Sequence, residues 1–401
     1  IICKSARGEC KTMNFSKLTA YLNTLEEKYG VHGLDMKITR GHETVYRCML
    51  GHSDYERKTP VSERDLYNIY SASKVITMTG VMQLIEQGKL GLNDPLEKYL
   101  PEFAHMRYAA DFKMGEFPFR WPDENSRLVP AQNPMRIHDL MSMTAGMSYD
   151  VASAPIRKVV EETHGEATTR QVVTAMAQMP LLCEPGTRYS YALGHDVLAA
   201  VVEVVTGMTF GAYMKRNVFE PLGITEMYYQ VPAGEEHRLF AQYGKDWDTG
   251  KIKRDESMIY RITKNYESGG AGLCTTVDEY TKVLEALANG GVGRTGGRIL
   301  KQESVLAIGR NWLTEQELAD FSRTGKEGYG YGLGVRVLID GTKSKSPVGE
   351  FGWDGAAGAY ALVDPKNHIG MFYTHEILGM IEAYSEIHPT LRDLAYEAMG
   401  F

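Results

Sequence analysis

Ser71-Ala72-Ser73-Lys74 opens a run in which Val75, Met78, Val81, Met82 and Ile85 fall on one helical face, ended by Gly88. Ser71 lies just before or within the first turn of that helix. Residues three apart share a helix face, so Lys74 sits beside the Ser71 hydroxyl. A helix start also presents unpaired N–H groups and a positive dipole end, worth about 0.3–1 kcal/mol to a nearby anion. A serine hydroxyl is a weak nucleophile near neutral pH and needs a base within reach. A lysine serves if burial and neighbours lower its pKa, and a tyrosine serves if nearby positive charge favours its phenolate. The plain alternative is a helix cap followed by a solvated lysine. Roughly one Ser-x-x-Lys is expected by chance in a chain of this composition. The rest of the sequence must decide between the two.

Strand patterns lie near both ends of the chain. Leu34, Met36 and Ile38 alternate with polar residues, and Gly41-His42 turns into a partner over Thr44–Leu50. Gly330–Ile339, Ala359–Val363 and Ile369–Thr374 read as three more strands, with Asp364-Pro365-Lys366-Asn367 as a turn. Between these ends the pattern is helical, with further helices over Ile137–Met143, Arg170–Met179 and Asp196–Val205. Phe15, Leu18, Leu22, Leu25 and Tyr29 mark a helix stopped by Gly30, and a last helix starts at Pro389. Residues 107–134, rich in Pro and charge, read as an irregular excursion. Asp246-Trp247-Asp248-Thr249-Gly250 reads as a hairpin turn. The expected fold class is α+β: an antiparallel sheet flanked by helices, with an inserted all-helical domain. The sheet domain takes residues 13–70 and 226–401, and the helical domain takes 71–225.

The chain has 401 residues, 43% of them hydrophobic and 24% charged, with a net charge of -7. No basic run or long apolar stretch is present, which argues against nucleic-acid partners and a membrane span. Cys3, Cys10, Cys48, Cys183 and Cys274 are scattered and fit neither a zinc site nor a disulfide framework. Residues 1–12 read as a non-native or disordered tail. Arg7-Gly8-Glu9 can be encoded by a purine-rich ribosome-binding stretch, which would make Met13 the natural start. No signal peptide is visible, so the expected location is cytoplasmic.

Two later segments give the tetrapeptide its context. One is Pro185-Gly186-Thr187-Arg188-Tyr189-Ser190-Tyr191, and the other is Phe351-Gly352-Trp353-Asp354-Gly355-Ala356. Between them and around them lie Gly88-Lys89-Leu90-Gly91-Leu92-Asn93-Asp94-Pro95-Leu96, Ile137-His138-Asp139-Leu140-Met141-Ser142-Met143-Thr144-Ala145-Gly146-Met147-Ser148, Phe219-Glu220-Pro221-Leu222-Gly223-Ile224 and Ser268-Gly269-Gly270-Ala271-Gly272-Leu273. In this order the chain resembles the serine β-lactamase and penicillin-binding-protein-like hydrolases, and within them class C β-lactamases and family VIII carboxylesterases. The resemblance implies Ser71 as acylated nucleophile, Lys74 as its proton partner and Tyr191 as the family tyrosine. It implies the Ser71 and Ala356 N–H groups as oxyanion donors, and Trp353, Asp354 and Gly355 as the substrate-binding third motif. It implies no cofactor and no metal.

Two departures bear on specificity. Tyr191-Ala192-Leu193 lacks the asparagine found in many relatives two residues after the tyrosine. Trp353 stands where a lysine usually attracts a substrate carboxylate, and Asp354 would repel an anion if it faced the cleft. Both changes favour a small neutral ester or amide. The expected activity is therefore ester hydrolysis through an acyl-serine. A β-lactamase or D-amino-acid peptidase, an acyltransferase and an acylated sensor that never turns over are the alternatives. His195, four residues after Tyr191, is read as packing or capping. Gly-x-Ser-x-Gly is absent, against an ordinary α/β-hydrolase.

Overall fold

The computed structural model describes residues 13–113, 120–123 and 125–401. The tail at 1–12 and part of the 107–134 excursion lie outside them. Period-2 alternation places Leu34, Met36 and Ile38 on one face of the strand Gly33–Arg40. That strand pairs on one side with Glu43–Asp54, Leu34 opposite Leu50, and on the other with Ile369–Thr374, Ile38 opposite Met371. The full sheet runs Tyr329–Tyr331, Arg336–Leu338, Phe351–Gly352, Tyr360–Asp364, Ile369–Thr374, Gly33–Arg40, Glu43–Asp54 and Thr59–Pro60. Every neighbouring pair in it is antiparallel. The molecule is thus an α+β fold whose central sheet is closed by strands from both ends of the chain.

Each face of the sheet has its own apolar cover. Leu34, Met36 and Ile38 pack with Leu18, Leu22 and Leu25 from the N-terminal helices and with Ile387 and Leu391 near the C-terminus. The opposite face, with Ala361, Val363 and Phe372, joins a larger core that continues through the helical region. The helix Val277–Ala288 lies against this face, with the Tyr280 and Phe372 rings 4.2 Å apart. Tyr280 then donates to the Ala72 carbonyl at 2.8 Å, tying that helix to the start of Ser73–Glu86. Ser73–Glu86 is buried on nearly every side, from Ser73 through Leu84. Its interior polar groups are satisfied: Gln83 donates to the carbonyls of Asn217 and Ile299, and Thr77 to that of Gly269.

Several expectations need correction in detail. The N-terminal helix is two, Ser16–Leu22 and Leu25–Tyr29. At the break the Asn23 and Thr24 side chains donate to the carbonyls of Thr19 and Tyr21, competing with the helical ladder. Gly30 does close the second helix, in the left-handed conformation at φ 76°. Gly330–Ile339 is not one strand but a hairpin, Tyr329–Tyr331 against Arg336–Leu338. Its turn is closed by the Gly332 N–H on the Val335 carbonyl, with Gly334 at φ +77°. The alternating apolar pattern on either side hid the turn. The segment around 107–134 includes a short hairpin, Arg107–Ala109 with Leu128–Pro130. Residues 246–250 turn between Tyr243–Lys245 and Ile252–Arg254, as the sequence indicates. Among the described residues no single helix is long and apolar enough to cross a membrane, and Cys48, Cys183 and Cys274 are free thiols.

Gly334 also abuts the central helix. A Cβ there would lie 2.4 Å from Met78 Cγ and 2.5 Å from His195 Nε2. Gly334→Ala combines that clash with a strained backbone and should cost about 1–3 kcal/mol. The urea midpoint of unfolding, compared with wild type, measures it.

Candidate active site

The backbone leading to Ser71 is held in an unusual shape. Tyr70 is a non-glycine residue at φ +46°, and it is buried. Its hydroxyl donates to Gln242 Oε1 at 2.5 Å, which fixes the ring. A 3₁₀ turn over Tyr70–Ala72 then runs directly into Ser73–Glu86, so Ser71 emerges at the mouth of the helix, half-buried. Strain of this kind costs on the order of 1–3 kcal/mol and persists only where the surroundings enforce it.

Lys74 lies one turn on and is fully buried. Its Nζ is 3.2 Å from Ser71 Oγ, 3.0 Å from the Tyr149 hydroxyl and 2.8 Å from the Gly270 carbonyl. Burial lowers its pKa to about 7, and Asp196 opposes that shift. At neutral pH the Lys74 amine therefore exchanges between its charged and its proton-free form. The Gly269-Gly270-Ala271-Gly272 turn contributes one of its acceptors.

Tyr149 is the residue that sequence reasoning missed. Its hydroxyl is 3.4 Å from Ser71 Oγ, and its ring stacks on Tyr191 at 5.0 Å and 10°. The signal was present: Tyr149 directly follows Met147-Ser148, the end of a stretch already singled out. Tyr191 packs beside Lys74, whose Nζ is 4.7 Å from its ring centre. Its hydroxyl accepts from Trp353 Nε1 at 2.9 Å. Burial pushes the Tyr191 phenol well up, while Ser71 and the Trp353 indole work in the opposite direction. Burial also raises Tyr149, with Tyr191 and Tyr260 adding to it. Neither phenol is set up as a resting phenolate, so of these groups it is the Lys74 amine that is partly proton-free near neutral pH.

The third motif meets the segment just before Ser71 through a close backbone contact. A Cβ on Gly355 would lie 2.3 Å from the Ile69 carbonyl oxygen, so only glycine fits there. Ala356 is thus the residue after the one packed on Ile69, two residues before Ser71. Among the described residues, neither the Ser71 nor the Ala356 N–H is paired with a backbone carbonyl. Tyr384 donates to the Gly355 and Ala356 carbonyls, at 3.0 Å each, and holds the segment.

Asp354 corrects the sequence expectation. It is not a bare anion facing a substrate: it is 7% exposed, ion-paired to Lys326 and 3.0 Å from Arg336. Burial alone would raise its carboxyl, but Lys326 and Arg336 outweigh burial and hold it well below the usual range. His195 is buried with both ring nitrogens unpartnered, and its Nε2 abuts Gly334. Among the described residues no group of three or more His, Cys, Asp or Glu is arranged to hold a metal ion.

The profile of the Beta-lactamase family matches residues 18–394, and the chain belongs to that family. Protein Rv1367c of Mycobacterium tuberculosis is 27% identical over 334 residues, covering 81% of this chain and 80% of that protein. Lovastatin esterase of Penicillium rubens is 27% identical over 332 residues, covering 78% and 79%. Among solved structures, EstCE1, described as a hydrolase with promiscuous acyltransferase activity, shares the fold at a TM-score of 0.76 and 24% identity. That match covers 95% of this chain and 98% of EstCE1. Together they place the chain among β-lactamase-fold enzymes of the hydrolase and acyl-transfer class.

Asp354→Asn leaves Lys326 and Arg336 short of a buried anion. It should lower stability by about 3 kcal/mol or more at pH 7. Because the folded carboxyl is depressed, its contribution is full above the unfolded value of about 3.9 and is lost as pH falls below it. The gap between variant and wild type in urea unfolding should therefore narrow at low pH.

Proposed function

We propose that this protein is a serine hydrolase of small neutral esters acting through a covalent acyl-serine. The observation that carries this reading is the buried Lys74 amine, 3.2 Å from Ser71 Oγ and with a pKa lowered to about 7. In the proposed cycle Ser71 Oγ attacks the acyl carbonyl carbon and its proton passes to Lys74. The Ser71 and Ala356 N–H groups receive the oxyanion, one such donor being worth about 3–4 kcal/mol. Tyr149 and Tyr191 stay protonated and relay a proton from Lys74 to the leaving alcohol. Water then enters, returns its proton along the same path, and releases the acid.

The neutral-ester preference rests on Trp353. Its indole N–H is spent on Tyr191, and the nearest ammonium, Lys326 at 5.5 Å from the indole ring, already pairs with Asp354. No unpaired cation therefore stands at the third motif, among the described residues, to draw in the carboxylate of a β-lactam. Asp354, paired with Lys326 and Arg336, presents no free negative charge to a substrate. A second reading is acyl transfer to an apolar alcohol. It draws on the aromatic wall of Tyr149, Tyr191, Tyr260 and Trp353, whose faces would favour such an acceptor over water. The acyltransferase side activity in the description of EstCE1 is consistent with it.

Ser71→Ala should reduce p-nitrophenyl acetate hydrolysis to background, a loss of about 10³-fold or more, and remove the acetyl adduct seen by intact mass. Retained turnover would sink the proposal. Nitrocefin should be turned over far more slowly than the ester. In wild type kcat/KM should fall as pH drops through about 7, where Lys74 takes up its proton.

A further inference from the structure

Asp196 is a fully buried carboxylate on the helix Gly194–Thr206, one turn beyond Tyr191, and the proposed cycle does not use it. It accepts from the Tyr266 hydroxyl and the Ser268 hydroxyl at 2.6 Å each. Ser268 Oγ in turn accepts from the Ala271 N–H at 3.0 Å. These bonds shape the turn that presents the Gly270 carbonyl to Lys74 at 2.8 Å. Asp196 and Lys74 flank the same face of Gly270. A Cβ there would be 2.6 Å from Asp196 Oδ2 and 3.4 Å from Lys74 Nζ. A side chain at Gly270 would separate the two charges, so glycine keeps them in view of one another.

We propose that Asp196 is a positioning residue for acylation: it pins the 266–271 turn against Lys74 and sets the pH at which that amine can accept the Ser71 proton. This rests on the reading of Lys74 as the base. A lysine buried without a nearby anion loses its proton at low pH and becomes too weak to draw one from serine. One buried carboxylate facing Lys74 across Gly270 counters that loss. The other groups around Lys74 do not supply the charge. Tyr149, Tyr191 and Tyr266 are phenols raised by burial, and His195, lowered by burial and by Lys74, is neutral. Burial also pushes the Asp196 carboxyl up, while Ser268, Tyr266, Lys74 and the Gly270 N–H favour its charged form.

The test uses a fluorophosphonate, which labels serine as the Oγ–P bond forms, the P–F bond breaks and fluoride leaves, with the serine proton passing to the base. Labelling rates are followed by intact mass from pH 5 to 9. In wild type the rate should fall on the acid side near pH 7. Asp196→Asn should move that limb down by about one pH unit and lower the plateau. Tyr266→Phe removes a donor from the carboxylate, so it should move the limb the same way by less, and it decides the matter if Asp196→Asn does not fold. Rates that drop equally at every pH, with the limb in place in both variants, would overturn the inference and leave Asp196 a purely structural residue. If Ser71 of the wild type takes no label, or Ser71→Ala takes as much, the underlying reading of the site fails instead.

Discussion

The rest of the structure depends on burying the Lys74 amine. An ammonium on a helix buried from Ser73 through Leu84 would normally be expelled from an apolar core. Here it is retained by three oxygen acceptors, the Ser71 and Tyr149 hydroxyls and the Gly270 carbonyl, with Asp196 behind. Keeping it there requires the central helix to be enclosed on nearly every side. That in turn requires the sheet-covering helix Val277–Ala288, the glycine turn at 269–272 and the helix Gly194–Thr206 to converge on one turn of Ser73–Glu86. The fold and the depressed amine are one problem with one solution.

Much of this was legible in the sequence because it is periodic or local. Leu34, Met36 and Ile38 declare a strand by alternation, and Ile369–Thr374 is bounded as its residues indicate. Ser71 and Lys74 are one helical turn apart, so their contact follows from spacing alone. What was not legible depends on tertiary placement. Tyr149 lies 78 residues from Ser71 and has no spacing relation to it, yet the two hydroxyls are 3.4 Å apart. Gly334 breaks an apparently continuous strand because its neighbours are apolar on both sides of the turn. Asp354 reads as a bare charge until Lys326 and Arg336 arrive from other strands and loops.

The third motif shows how one substitution redistributes charge. With Trp353 in place of a cation, the motif supplies one N–H, and the structure directs it at Tyr191. The adjacent carboxylate is then balanced by Arg336 within the sheet and by Lys326 from the loop after Glu315–Ser322. Lys326 also stands 5.5 Å from the Trp353 ring and 5.8 Å from that of Tyr384. Positive charge is present close to the cleft wall but is committed to holding that wall.

The closure of the sheet by both ends of the chain bears on how this molecule is made. Gly33–Arg40 is translated more than 300 residues before one of its two flanking strands, Ile369–Thr374. Until then the first strands carry an open edge and an uncovered apolar face, the state most prone to mispairing. The Ala356 segment, locked to Ile69 across the molecule, is equally late. A nascent chain that already contains Ser71, Lys74, Tyr149 and Tyr191 therefore carries those side chains before the segment that packs against Ile69 has been made, and their surroundings are completed only by the later strands.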